Sequence, residues 1–284
     1  MTAQSLVDDG LFTPAVGTWA QRKYELLAYY SHLFAASMAN KWQSRVYIDL
    51  FAGPGRARVK PSRHFIHTSP IIALGTSPQF DHHVFCDVNP ACISTLQTRI
   101  LRDYPGASVT YVPQDSNAAV NEVLSAIPTA SRAYKVLSFC FVDPFSLQNL
   151  RFETIRLLSN RYVDFLILIP AYMDARRNLG VYLRPSNPTI EYFLGLPDWR
   201  KRWAGRPQQS MNFGAFVADQ FGEQMKTLRY HYSGLADTVL VSYPRKNVAL
   251  YRLAFFSRSP LAVKFWHQAK KYTGDQPPLF QLPM

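Results

Sequence analysis

Arg45-Val46-Tyr47-Ile48-Asp49-Leu50-Phe51-Ala52-Gly53-Pro54-Gly55-Arg56 is a short apolar run that stops at two glycines one residue apart. That is the pattern of a buried strand running into a tight turn. At the carboxyl end of the first strand of an open parallel sheet, Gly53 and Gly55 would let the backbone pass close to a ligand, because neither carries a Cβ. Asp49 is then expected at the strand tip, facing that ligand. The two glycines alone are weak evidence. Position 58 is Arg58, so the nucleotide-binding pattern Gly-x-Gly-x-x-Gly is not met, and an ordinary strand-to-loop turn competes.

The next strand ends tip the balance. Val84-Phe85-Cys86-Asp87 is a second apolar run closing on a carboxylate, Val109-Thr110-Tyr111-Val112-Pro113-Gln114-Asp115 is a third, and a fourth ends in Asp143-Pro144-Phe145. In order, this series resembles class I S-adenosylmethionine (SAM) methyltransferases. There the acidic residue after the second strand takes the ribose hydroxyls, and one after the third meets the adenine amino group. The resemblance implies S-adenosyl-L-methionine as cofactor, with Asp49, Phe51, Gly53, Gly55, Asp87, Val88, Asp115 and Ser116 around it.

With 284 residues and 48% apolar content, the chain can bury a full core. No apolar run is long enough to span a membrane, and Met1-Thr2-Ala3-Gln4-Ser5 lacks the layout of a signal peptide. A cytoplasmic protein is expected. Cys86, Cys92 and Cys140 show no CxxC spacing, which favours reduced, buried thiols over a disulfide or a metal site. His64 and His67 lack a Cys or acidic partner nearby, so they make a poor metal pair. The net charge of +12 favours phosphate-bearing partners such as nucleic acid, against a reading in which it serves only nonspecific binding or solubility.

Residues 1–17 read as an N-terminal arm, and 18–284 as a single domain. Apolar residues recur at helical spacing as Leu26, Leu27, Tyr30, Leu33, Phe34, Met38 and Trp42, predicting a helix from Thr18, its cap, to about Gln43. Arg56, Arg58, Lys60, Arg63, His64 and His67 then form a basic loop, either an insertion over the cofactor pocket or simply a solvated loop. Ser69-Pro70 is a good helix start, with the serine as cap. Further helices are expected over Pro90–Arg102 (capped by Asn89 or Asp87), Asn117–Ile127 and Phe152–Ser159. Strands are expected over Lys135–Val142 and Val163–Ile169.

Residues 170–212 read as an irregular basic and aromatic lid. Arg176, Arg177, Arg184, Arg200, Lys201, Arg202 and Arg206 interleave there with Tyr172, Tyr182, Tyr192, Phe193, Trp199 and Trp203. Such mixing suits phosphate contact and base stacking, but Tyr192, Phe193 and Trp203 fit the lid's own core better. A helix over Phe213–Lys226, two strands over Thr238–Ser242 and Val248–Phe256, and a basic amphipathic helix over Leu261–Tyr272 complete the chain. The fold class is thus α/β, a Rossmann-like methyltransferase fold: a mostly parallel seven-stranded sheet, helices on both faces, and an antiparallel last strand.

Asp143-Pro144-Phe145-Ser146 stands where amino-methyltransferases carry a catalytic tetrapeptide. In them an Asp or Asn and a proline carbonyl accept hydrogen bonds from the substrate amine while an aromatic ring stacks on the base. Here the second proline is missing and the aromatic arrives one place early. Asp143, Pro144 and Phe145 are the candidate catalytic residues, against a reading of Asp143 as a turn cap.

Several blocks together resemble the three-Cys-motif partner protein family: Tyr47 to Arg56, Thr68-Ser69-Pro70-Ile71-Ile72-Ala73-Leu74, Val142 to Phe145, Met173 to Asn178, Phe193 to Arg200, and Phe255 to Pro260. That resemblance implies a gene neighbour bearing three clustered cysteines, a radical-SAM-like protein, as partner. Thr68 replaces the family's usual Gly before Ser-Pro, and Ser146 its usual Gly after Asp-Pro-Phe. Arg177 and Asn178 match a family block and would grip a phosphate or base edge, or else form a surface turn. Arg56, Arg58 and Arg176 join them as candidate substrate-binding residues.

Two functions from different classes follow. One is a SAM-dependent methyltransferase acting on nucleic acid or a nucleotide-like substrate. The other is a non-catalytic partner that recognises nucleic acid for the three-cysteine protein. A Rossmann dehydrogenase is disfavoured by the absent third glycine.

Overall fold

All six residues of the strand at Ser44–Asp49 are buried, the consequence of an apolar run covered on both faces and paired on both edges. The computed structural model describes residues 6–207, 212–243 and 248–272, without the side chains of 173–177, and this strand is the second of ten among the described residues. The strands are β1 Ala15–Gly17, β2 Ser44–Asp49, β3 Arg56–Lys60, β4 Phe65–His67, β5 His82–Cys86, β6 Val109–Val112, β7 Val136–Val142, β8 Val163–Ile169, β9 Val239–Tyr243 and β10 Val248–Phe256. The helices are α1 Trp19–Met38, α2 Ser69–Leu74, α3 Pro90–Asp103, α4 Val120–Ala126, α5 Phe152–Leu158, α6 Ala171–Tyr182, α7 Thr189–Leu194, α8 Trp199–Gly205, α9 Phe213–Thr227 and α10 Pro260–Tyr272.

Seven strands form one sheet in the order β6-β5-β2-β7-β8-β10-β9. β2 pairs in parallel with both β5 and β7, and β5 with β6. β10 runs antiparallel to both β8 and β9, so the last strand is the antiparallel one, as expected. From β2 the chain proceeds outward to β5 and β6, then returns to start β7 on the other side. That reversal puts the switch point, where ligands bind in open α/β sheets, at the carboxyl end of β2.

The chain divides into two compact units, Met1–Phe141 with Phe265–Met284, and Val142–Lys264. The first has an aromatic core. Tyr30 of α1 lies 5.1 Å from Phe139 of β7 and 6.1 Å from Trp266 of α10, and Phe34 stacks on Phe80 at 5.7 Å. Each such ring contributes roughly 1.5–3 kcal/mol through burial. Arg45 of β2 binds Asp81, and its guanidinium also donates to the carbonyls of Ala35 and Gln79, tying α1 to the segment before β5. In the second unit Phe221 of α9 packs on Phe152 of α5, Phe193 of α7 and Phe256 of β10.

Several expectations are corrected. α1 ends at Met38, and Thr18 precedes it without a side-chain capping bond. Ser69 lies inside α2, whose N-cap is Thr68. The basic loop is not a loop: β3 and β4 form an antiparallel hairpin to which β1 adds in parallel, a separate three-stranded sheet. Ala57 and Val59 point inward with no exposure, and Arg58 and Lys60 alternate outward, the period-two pattern of a half-buried strand. The region after β8 folds into α6, α7 and α8. There Phe193 is buried against Phe221 and Trp203 packs on Phe213 and Phe216, so both rings pack against α9 rather than into a core of the lid's own. Tyr192 is half-exposed, with the Arg151 guanidinium 5.1 Å from its ring centroid. Arg200 closes the turn after α6 by donating to the carbonyls of Tyr182, Arg184 and Asn187.

Candidate cofactor and acceptor site

The turn after β2 is built from beneath. Asp49 has no accessible surface, so its expected place facing a ligand gives way to one under the turn. Its Oδ1 accepts from the Phe51 N–H at 3.2 Å and its Oδ2 from the Tyr47 hydroxyl at 3.4 Å. Burial, then the neighbouring Asp49 charge, push the Tyr47 hydroxyl and the Cys140 thiol far above their ordinary values, so both stay protonated. Cys86 is likewise pushed up to about 12 by burial and Cys92 to about 11, and all three thiols are free and buried.

Gly53 and Gly55 both take the left-handed backbone, at φ +62° and +88°. Their needs differ. A Cβ on Gly55 would stand 2.9 Å from Leu96 Cδ1 and 3.0 Å from Ile71 Cγ1, so Gly55 lets α2 and α3 close in. A Cβ on Gly53 would meet nothing within 4 Å. Gly53 therefore borders open space at the switch point, and its N–H donates to Asp87 Oδ2 at 2.8 Å.

Asp87 follows β5. Its Oδ1 accepts from the Asn89 N–H at 2.8 Å, and Asn89 in turn caps α3 through the Ala91 N–H. Each carboxylate oxygen keeps a lone pair after these bonds. Val88 beside it is 64% exposed, an apolar side chain left in water next to a charge. At the end of the adjacent β6, Asp115 Oδ1 accepts from the N–H groups of Asn117 and Ala118. That turn delays α4 to Val120. Ser116 is buried, and its hydroxyl has no hydrogen-bond partner among the described residues, which leaves it free to bond a water or a ligand. Phe51, Gly53, Gly55, Asp87, Val88, Asp115 and Ser116 are thus gathered at the ends of three neighbouring parallel strands within one unit.

The candidate substrate cations are not gathered in the same way. Arg56 is paired, its guanidinium 3.2 Å from Asp9 and 3.6 Å from Asp103, so it serves structure rather than an open anion site. Arg58 lies exposed on the hairpin. The Arg176 and Arg177 side chains lie outside the described residues, and Asn178 is half-buried on α6.

In the second unit Pro144 is buried, Asp143 is half-buried and Phe145 is 96% exposed. Ser146 and Asn149 form a reciprocal capping box opening the 3₁₀ turn Leu147–Asn149, with Ser146 Oγ 2.7 Å from Asn149 Oδ1. Both departures from the family pattern stand on extended backbone, Thr68 at φ −106° and Ser146 at φ −148°. Neither position requires the glycine it replaces.

A site residue missed in the sequence is Arg99 of α3, fully buried, whose Nη1 donates to the Pro54 carbonyl at 2.6 Å. It occupies the apolar stripe of its helix, Cys92, Ile93, Leu96, Arg99, Ile100. A charge at a core position was the available signal.

No family model and no curated protein matches the chain. Among solved structures it is similar to a Legionella pneumophila protein of the DUF519 family model, at 12% identity over 88% of this chain and 92% of that one, TM-score 0.48. A DUF574 family protein from Streptomyces avermitilis is similar at 16% identity over 84% and 83%, TM-score 0.45. Magnesium protoporphyrin IX methyltransferase from Synechocystis PCC 6803, with bound S-adenosylhomocysteine (SAH), is similar at 11% identity over 84% of each chain, TM-score 0.40. Identities this low and scores below 0.5 assign no activity.

Proposed function

We propose that this chain is a SAM-dependent methyltransferase acting on nucleic acid or a nucleotide-like substrate. The observation that carries the reading is Gly53: left-handed, bordering open space at the switch point, and hydrogen-bonded to the carboxylate that ends the next strand. The residues present fit the cofactor. Asp87 has one acceptor site left on each oxygen, which suits a vicinal pair of hydroxyls. Val88 offers an apolar face to a heterocycle, and Asp115 and Ser116 offer polar groups at its edge. When bound, SAM supplies an electrophilic methyl group on a positively charged sulfur. The chain's own work is then positioning: Asp143 and Phe145 orient the acceptor, and little acid or base chemistry is asked of them.

Titration calorimetry of the folded protein with SAM and SAH tests the reading, and the absence of affinity for both removes it. Incubation with methyl-labelled SAM and DNA or RNA tests the substrate class. The three-Cys-motif radical-SAM-like partner belongs to the same proposal and is tested by copurification.

A second reading, a non-turnover nucleic-acid recognition partner, is favoured by the hairpin. Arg58, Lys60 and Arg63 are exposed there, with no side-chain hydrogen bond or ion pair among the described residues. Under this reading nucleic-acid affinity survives Asp143→Ala and falls steeply with salt. Labelled methyl groups in the nucleic acid would count against it.

A further inference from the structure

Residues 6–17 do not hang free. β1 pairs with β3, and the Pro14 carbonyl accepts from the Arg58 N–H at 2.9 Å. The anchor is Arg99. Its Nε donates to Asp9 Oδ2 at 2.8 Å. Its Nη2 donates to Asp9 Oδ1 at 2.8 Å and Thr13 Oγ1 at 2.9 Å. Its Nη1 donates to the Phe12 carbonyl at 3.2 Å and the Pro54 carbonyl at 2.6 Å. These five contacts use every donor a guanidinium has. Four go to the N-terminal segment and one to the glycine turn.

The one matters because of what the turn lacks. Proline has no N–H, so the carbonyl is Pro54's only backbone handle. The glycines on either side have no side chains and hold left-handed angles; Gly53 is held by its N–H on Asp87 and Gly55 by its carbonyl on the Thr68 N–H at 2.9 Å, and between them the Pro54 carbonyl is held by Arg99. The charge that makes Arg99 tolerable in the interior comes from the arm: Asp9 binds it bidentately and also neutralises Arg56 and Arg102, at 3.2 and 3.4 Å. Remove Asp9 and a buried cation is left without its counter-ion.

We propose that Arg99 is a positioning residue for the cofactor turn, and that through it the N-terminal segment is an integral part of the cofactor site. With the segment docked, the Pro54 carbonyl is held and Gly53 keeps the angle that leaves room for the ligand. With it released, the turn loosens. The proposal rests on the reading of Gly53 and Asp87 as a SAM site.

The test compares Asp9→Asn and Arg99→Lys with a control, Asp81→Asn, which damages the other Asp–Arg network of the same unit, that of Arg45. SAH affinity is measured by calorimetry on the full chain, well below each melting temperature. Amide hydrogen exchange over residues 50–58 is followed in the ligand-free protein. Loss of one charge-assisted hydrogen bond corresponds to about tenfold or more in affinity. The expected result is a dissociation constant raised about that much in Asp9→Asn and Arg99→Lys, with faster exchange over 50–58, and neither change in Asp81→Asn. Should Arg99→Lys not fold, Asp9→Asn and Thr13→Val carry the comparison from the arm side. Unchanged affinity and exchange in folded variants overturn the proposal, as does equal weakening in Asp81→Asn, which would mean general destabilisation. If the wild type itself binds no SAH, the cofactor reading fails, and exchange alone decides whether the arm holds the turn.

Discussion

The glycine turn of the first unit and the Asp-Pro-Phe loop of the second are built on opposite plans. Around the turn the polar groups are largely committed: Asp49 is buried beneath it, Asp87 holds the Gly53 N–H, and Arg99 spends five donors nearby. At the loop Phe145 stands 96% exposed beside a buried proline. The first plan fits a ligand met in one fixed pose, with the cost of ordering met during folding. The second fits a partner whose contact completes the surface. Substitutions at the turn should therefore change affinity and stability together, and those at the loop should leave stability alone.

The largest effect is expected at Asp87. Asp87→Ala removes the Gly53 and Asn89 contacts together with two free acceptor sites, and each charge-assisted bond contributes about 1.5–3 kcal/mol. SAH affinity measured by calorimetry should fall at least about a hundredfold. An unchanged constant would break the comparison at its strongest point, because the carboxylate would then be structural only.

The two glycines sharpen it next. Gly55→Ala meets both the left-handed penalty and the contact with Leu96, and should destabilise by about 2–3 kcal/mol in denaturant unfolding. Gly53→Ala meets only open space and should cost about 1 kcal/mol while weakening SAH binding more than Gly55→Ala does at matched stability. The reverse order of affinities would mean that Gly53 does not border the ligand.

Much of this was legible from residues 45–115. Apolar runs that each close on an acidic residue fix where strands end and where polar groups gather, and the order Gly53, Asp87, Asp115 survives in the structure. The aim of a side chain does not follow from its position: Asp49 lies at the predicted strand end yet is buried under the turn, where it accepts from the Phe51 N–H and the Tyr47 hydroxyl. The alternation Arg56-Ala57-Arg58-Val59-Lys60 spelled a strand, but three cations in five residues made it look like a solvated loop. Arg99 and Asp9 are ninety residues apart. Nothing local in either could announce the other. Helices α6 to α8 were obscured by their basic and aromatic content, since Phe193 and Trp199 bury while Tyr192 does not.

The second unit buries a carboxyl of its own. Burial raises the Asp164 carboxyl of β8 to about 7, against the pull of Ser257 and Arg258. The unfolded chain releases that proton near the ordinary value, so the stability gained by keeping it is complete below about pH 4 and lost as pH rises through about 7. Unfolding free energy should drop by about 1–3 kcal/mol between pH 5 and pH 8.5, and Asp164→Asn should flatten that part of the profile. A slope that persists in the variant would assign it to another group.

The smallest expected change in stability, and the most telling, is at Phe145. A ring this exposed contributes within about 0.5 kcal/mol, so Phe145→Ala should melt with the wild type and bind SAH with wild-type affinity. If the ring orients an acceptor base, methyl transfer to nucleic acid should nonetheless fall about tenfold or more, because base–aromatic stacking is worth about 1–3 kcal/mol. Phe145→Tyr should restore most of it, since the stacking face is kept. A lowered melting temperature in Phe145→Ala would show that the ring is covered in solution, and the contrast between a committed turn and an open loop would then be lost. Unchanged stability with unchanged transfer would keep the contrast but take Phe145 out of the reaction, leaving Asp143 alone to orient the acceptor.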